Sequence, residues 1–214
     1  MKVIGIGLNK TGTKTLQHLF NHLGYNHQGF SVAYFLAYQK EQMEKLMACV
    51  DSHDSFEDWP WPLIYQKIDQ NFDDCKFILT TRKTPETWFK SLSKMAVRMG
   101  PMDKVEKFVY GYSMPHGKKK EHLSYYLNHN AKVREYFKDR PDKLLEICWE
   151  NGDTYEKVAE FLDVPTDDLP QLKQINKSMP VYGGDNLLVA KIYQACFQLR
   201  HRKALRRIRK EYDL

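Results

Sequence analysis

Two groups of residues in this 214-residue chain have the types and spacing to do chemistry on an anion. The first is Gly7-Leu8-Asn9-Lys10-Thr11-Gly12-Thr13-Lys14-Thr15-Leu16, which follows an apolar run. It opens an amphipathic pattern with Leu16, Leu19, Phe20 and Leu23 on one side. A strand, a glycine-containing turn and a helix N-terminus make a phosphate cradle. Successive backbone N–H groups point inward, and the helix dipole favours negative charge. The hydroxyls of Thr11, Thr13 and Thr15 can add donors. Gly7 and Gly12 have the spacing of the GxxxxGK[ST] nucleotide loop, but Thr13 stands where its lysine belongs and Lys14-Thr15 comes one position late. A triphosphate site with Mg²⁺ on the next hydroxyl is therefore not built in the usual way. Lys10 instead puts an ammonium in the turn before the second glycine.

The second group starts at the apolar stretch Lys76–Thr81, which ends in Arg82. Thr84-Pro85-Glu86 then reads as a helix start, with proline in the first turn and a threonine cap, and Ser91 lies two turns in. Arginine suits phosphate because its planar fork makes two parallel hydrogen bonds. Between these groups runs Asp51-Ser52-His53-Asp54-Ser55-Phe56-Glu57-Asp58-Trp59-Pro60-Trp61-Pro62. A loop leaving the C-terminal end of a parallel strand is where open α/β sheets hold ligands. A carboxylate partly buried there beside Trp59 and Trp61 gains basicity, as a general base requires.

Lys10-Thr11-Gly12-Thr13-Lys14-Thr15 resembles the 5′-phosphosulfate loop of the sulfotransferases, roughly K-[ST]-G-T-x-[ST], at every defined position. Arg82 and Ser91 resemble the 3′-phosphate motif of that family, although they lie nine residues apart here and the family's usual spacing is eight. Asp58-Trp59-Pro60 is similar to an Asp-aromatic-Pro segment of the compact, P-loop-like subgroup. That likeness implies Asp58 as general base. Glu57 and His53 are the alternatives, His53 because the better-known cytosolic members use a histidine. The segment Leu144–Pro165 is similar to a late strand and helix of the family, and Gln174-Ile175-Asn176-Lys177-Ser178 to a segment near the donor.

The resemblance implies transfer of a sulfuryl group from 3′-phosphoadenosine 5′-phosphosulfate (PAPS), releasing adenosine 3′,5′-bisphosphate. The acceptor would be a hydroxyl or amine on a small molecule or carbohydrate. Lys10 would stabilise the bridging oxygen, the loop and Thr15 would hold the 5′-phosphate, and no metal would be required. Two other classes stay open: a P-loop kinase using ATP and Mg²⁺, and a nucleotide-binding or basic-helix interaction module without catalysis.

The elements that must position these residues follow from pattern. Apolar runs at Lys2–Leu8, Leu46–Val50, Lys76–Thr81 and Leu144–Trp149 read as strands. Helical patterns between them cover Thr13–Leu23, Tyr34–Met47, Pro62–Phe72, Pro85–Val97, Lys118–Lys138, Thr154–Leu162 and Asp185–Tyr212. Continuous apolar strands alternating with helices predict an α/β fold: a P-loop-NTPase-like parallel sheet flanked by helices. A single domain over 1–214 is expected, with a helical cap near 99–142 and a basic C-terminal helix over 185–214. Tyr110, Tyr112, Tyr125, Tyr126 and Tyr136 read as packing, with an acceptor pocket as the other use.

Composition narrows the function classes. The net charge is +6, but residues 200–214 alone hold seven Lys/Arg against Glu211 and Asp213. The basicity is thus local and does not predict specific nucleic-acid binding. The final helix is expected to pack on the domain or on a second copy of the chain as a homodimer. No run of about 18 apolar residues predicts a transmembrane span. With no cleavable leader read at Met1–Gly7, the expectation is a cytoplasmic protein. Cys49, Cys75, Cys148 and Cys196 lack metal or disulfide spacing and read as buried thiols. His116, His122 and His129 read as surface residues.

Overall fold

The computed structural model describes residues 1–99 and 105–172, with four isolated helical positions at 192, 195, 196 and 199. The expected final helix and the Gln174–Ser178 segment otherwise lie outside the described residues. Five parallel strands form one sheet: β1 (Lys2–Gly5), β2 (His27–Gln28), β3 (Ser55–Phe56), β4 (Cys75–Thr80) and β5 (Leu144–Ile147). Their order across the sheet is β2-β3-β1-β4-β5, so β1 sits at the centre.

Period-two alternation decides which helices cover which face. Ile4, Phe56, Phe77 and Leu79 point to one side, where they meet Leu46, Val50, Trp61, Ile64, Ile68 and Phe137. These come from α3 (Met43–Ser52), α4 (Trp61–Asn71) and the end of α7 (Lys119–Phe137). Val3, Ile78 and Ile147 point to the other side, against Leu16, Leu19 and Phe20 of α1 (Thr13–His22) and Val158 and Leu162 of α8 (Tyr155–Leu162). Each such fully buried side chain contributes about 1.5–3 kcal/mol. A sheet buried on both faces needs apolar residues at consecutive positions, which is why the central strands β1 and β4 are readable as apolar runs, whereas the edge strand β5 is half-buried and carries Glu146.

One expected strand is a helix. Leu46–Val50 lies inside α3, because Met43, Leu46, Cys49 and Val50 share one helical face and pack on the sheet. The strand in this part of the chain is the two-residue β3, and the loop starting at Glu57 leaves its C-terminal end.

Contacts divide the chain into two compact units. The first, residues 1–83 and 129–176, contains the sheet and α2 (Val32–Gln39). The second, residues 84–128 and 177–214, contains α5 (Pro85–Met99), α6 (Glu106–Tyr110) and the start of α7. Within it Tyr126 stacks on Trp88 at 4.7 Å, and the Tyr110 ring meets Tyr125 edge-on at 4.9 Å. His122 is buried between Tyr110 and Phe89, and His116 is buried as well. The surface expectation for these histidines is corrected: on α7 the His122 ring falls on the apolar stripe rather than the polar one. Cys49, Cys75 and Cys148 are buried free thiols as expected, whereas Cys196 is exposed and departs from that reading. Among the described residues no helix is long and apolar enough to cross a membrane.

Candidate active site

The loop between β1 and α1 is fastened to β4. A Cβ on Gly7 would lie 2.1 Å from Thr80 Oγ1, so only glycine allows this approach. Thr11 is fully buried, and its hydroxyl donates to the Leu8 carbonyl at 2.6 Å while meeting Thr80 Oγ1 at 2.6 Å. That hydroxyl is therefore engaged in shaping the loop and points away from solvent. His129 adds a further tie from α7, with Nε2 2.7 Å from the Ile6 carbonyl; burial pulls its pKa down and keeps the ring neutral. Nothing in the local pattern around His129 separates it from a surface histidine.

The loop then turns through two left-handed residues, Lys10 (φ 69°) and Gly12 (φ 99°). Gly12 is the N-cap of α1, and no side chain caps that end. Thr15 N–H closes back on the Gly12 carbonyl at 2.9 Å, leaving the remaining first-turn donors for an anion. Thr13 and Thr15 are buried in the first turn. A Cβ at position 12 would lie 2.4 Å from Cδ1 of Trp149, whose indole borders the loop.

On the β3 side, Glu57 is fully buried and Lys14 reaches it across the gap, with Nζ 2.9 Å from Oε1. The same ammonium donates to Gln17 Oε1 at 3.0 Å. His27, on the edge strand β2, brings Nε2 to 3.8 Å from Glu57 Oε1, and its Nδ1 is 2.9 Å from the Ser55 hydroxyl. Burial alone would raise the Glu57 pKa, but the His27 ring, the Lys14 ammonium and the Thr13 hydroxyl outweigh it and hold the group below the usual carboxylate range. Asp58 adopts a left-handed φ of 65° and accepts the Trp59 N–H at 2.8 Å. Burial first, and the Glu57 charge second, push Asp58 up to about 7, against the opposing pull of Trp59 N–H, Lys14 and Lys10. Two adjacent carboxyl groups thus have acidities driven apart, the arrangement that separates a proton acceptor from a fixed charge.

On the β4 side, Arg82 directs Nε and Nη2 to the two oxygens of Glu150 at 2.9 and 2.6 Å. Nη1 donates to the Lys10 carbonyl at 2.9 Å, and Lys83 N–H reaches Glu150 Oε2 at 3.0 Å. The Arg82 guanidinium holds the Glu150 carboxyl below the usual range. Arg82 therefore sits beside the loop and fixes its left-handed turn at Lys10.

Lys10, Gly12, Thr13, Lys14, Thr15, Glu57, Asp58 and Arg82 thus gather at the C-terminal ends of β1, β3 and β4. His53 does not join them. It lies before β3, where its carbonyl accepts Lys2 Nζ at 2.8 Å and its Nδ1 is 3.0 Å from the Cys49 carbonyl. Glu57 lies four positions further on along nearly extended chain, roughly 13 Å at strand rise, so His53 lies at the N-terminal end of the strands, opposite the site. Ser91 lies on α5 in the second unit and is half-buried. Sequence reasoning does not reach His27 or Glu150 as site residues. A lone histidine on a two-residue strand carries no pattern, and Glu150 follows β5 as one acid among several. Among the described residues no group of three His, Cys, Asp or Glu side chains is placed to hold a metal.

Comparison with known proteins bears on this arrangement. The crystal structure of a sulfotransferase from Alicyclobacillus acidocaldarius superposes with a TM-score of 0.53 at 18% identity, covering 92% of this chain and 94% of that one. At that identity the likeness concerns the fold, the parallel sheet with flanking helices. No curated protein sequence matches the chain. The sequence-family model for the sulfotransferase domain matches residues 2–178, which take in both flanks of the loop and every strand of the sheet. The chain belongs to the sulfotransferase family.

Proposed function

We propose that the donor is PAPS and that the sulfuryl group passes in line to a hydroxyl or amine of a small-molecule or carbohydrate acceptor. The observation that carries this is Asp58, a carboxyl raised to about 7 at a strand end beside an uncapped helix N-terminus. Such a group accepts a proton near neutral pH. Asp58 takes the acceptor proton as the acceptor atom bonds to sulfur. The bond from sulfur to the bridging oxygen breaks, and that oxygen leaves on adenosine 3′,5′-bisphosphate. Lys10 and the first-turn N–H groups of α1 stabilise the charge that develops there, and the loop fixes the line of attack. The uncapped donors suit the 5′-phosphate, with Thr13, Lys14 and Thr15 around them. Thr11 contributes through loop shape.

Arg82 is the proposed 3′-phosphate ligand, and its Glu150 pair requires the phosphate to add to or exchange with that carboxylate. Ser91 stands on its motif position alone. The test is calorimetric titration with adenosine 3′,5′-bisphosphate, and with ATP in the absence and presence of Mg²⁺. Metal-independent bisphosphate binding that weakens in Arg82→Ala supports the assignment. Mg²⁺-dependent ATP binding with none of the bisphosphate would replace it with a P-loop kinase.

A further inference from the structure

We infer that Glu57, held between Lys14 and His27, is not the base but a fixed counter-charge that acts on the reaction through Asp58, with His27 as an additional positioning residue. This rests on Asp58 being the base.

The geometry leaves Glu57 little else to do. Its side chain has no solvent exposure, so an acceptor cannot reach it. One oxygen is already bonded to Lys14 Nζ at 2.9 Å. The backbone closes in on the same oxygen: a Cβ on Gly29 would lie 2.7 Å from Oε1 and 3.4 Å from His27 Nε2. No side chain fits at position 29 without displacing the carboxylate. His27 is itself held, with its side chain only 3% exposed and Nδ1 on Ser55, the residue that pairs with it across β2 and β3. Cation, carboxylate and imidazole thus come from α1, the end of β3 and β2, and each is fixed by its own element.

A buried carboxylate stays ionised only if paired. Once ionised, it opposes ionisation of the carboxyl next to it in the chain. The charged groups acting on Asp58 are Glu57 from its own loop, Lys14 from α1 and Lys10 from the phosphate loop. Of these charges only Glu57 raises the Asp58 pKa; both lysines lower it. Burial gives the larger part of the Asp58 rise and the Glu57 charge the next. Glu57 therefore supplies the electrostatic component that helps bring a partly buried aspartate into the working range of a base, and Lys14 and His27 keep that component in place.

The test is a carbon-13 carboxyl titration of the full chain by NMR, with the Asp58 resonance assigned through Asp58→Asn. The expected wild-type midpoint for Asp58 is about 7, and in Glu57→Gln it is expected to fall by about one pH unit or more. An Asp58 midpoint unchanged in folded Glu57→Gln would overturn the inference, because burial alone would then set it. If Glu57→Gln does not fold, Glu57→Met carries the same measurement, and an unchanged Asp58 midpoint overturns the inference. In His27→Gln the Glu57 midpoint rises, and no movement of it overturns the positioning role of His27. No ligand enters this titration. Absence of bisphosphate binding in the wild type would remove the donor assignment and leave this result standing, whereas a wild-type Asp58 titrating at about the ordinary aspartate value would remove both the base and its tuning.

Discussion

The loop between β1 and α1 is gripped on two flanks by two carboxylate–cation pairs that differ in burial. Towards β3, Lys14 meets a Glu57 whose side chain is 0% exposed; towards β4, Arg82 meets a Glu150 that is 29% exposed. The second pair has the better geometry, with two parallel bonds, yet water can replace part of what it offers. The first has a single bond, but its carboxylate has no access to water. Geometry and energetic weight are therefore distributed oppositely. Arg82 and Glu150 set the shape of the turn at Lys10, while Lys14 and Glu57 bear on the charge state of Asp58, the proposed base.

Substitutions can break this contrast, and the largest effect is expected where charge is used in chemistry. Asp58→Asn keeps shape and removes the proton acceptor. With a hydroxyl acceptor that supports wild-type turnover, kcat should fall on the order of 10²–10⁴-fold, while bisphosphate affinity by calorimetry stays near that of the wild type. A fall of less than about tenfold would move the role of base to another group.

Stability comes next. Lys14→Met leaves the buried Glu57 charge without its cation, and a loss of about 3 kcal/mol is expected. For a chain of this size that is roughly 6–12 °C in Tm by calorimetry. A loss near zero would mean that Glu57 takes up a proton at little cost.

Asp58→Asn should also stabilise the fold, with a definite pH dependence. The Asp58 carboxyl is raised from 3.8 to about 7, so the folded chain holds its proton more tightly than the unfolded chain does. The corresponding stability is complete below the unfolded value and lost as pH rises through about 7. An uncharged amide at this position carries no such loss. The Asp58→Asn variant should gain on the order of 1–2 kcal/mol at about pH 8, after discounting for partial solvent access, and nothing at about pH 3.5. Urea unfolding at both pH values measures it.

The smallest change is expected on the exposed flank. Glu150→Gln should cost at most about 1 kcal/mol, a shift of only a few degrees. The same variant releases Arg82 Nε and Nη2 from a competing carboxylate, so bisphosphate affinity should rise rather than fall. A loss of affinity would instead show that Glu150 orients Arg82 for its ligand.

Legibility in the sequence follows the same division between strong and weak patterns. β1 and β4 are readable because strands buried on both faces need long apolar runs, β5 because Leu144, Leu145 and Ile147 outweigh its one outward Glu146, and α1, α5 and α8 because their stripes are regular. β2 and β3 are not readable. Two residues cannot establish a period, and parallel pairing within the sheet is what makes them strands at all. The apolar run Leu46–Val50 imitates a strand, since short runs of either kind look alike until Met43 and Cys49 are placed on the helical face. In the site, glycine and lysine spacing marks the loop, and Arg82 and Asp58 stand at strand ends. His27 and Glu150 have no local signal, because their relevance comes from long-range neighbours.

The indole of Trp149 against Gly12 gives the loop its own optical reporter. The chain has four tryptophans, and Trp59, Trp61 and Trp88 are sealed in the interior. Trp149 borders the loop at Gly12, so the part of the intrinsic emission change on ligand addition that is lost in Trp149→Phe reads the state of that loop without any added label.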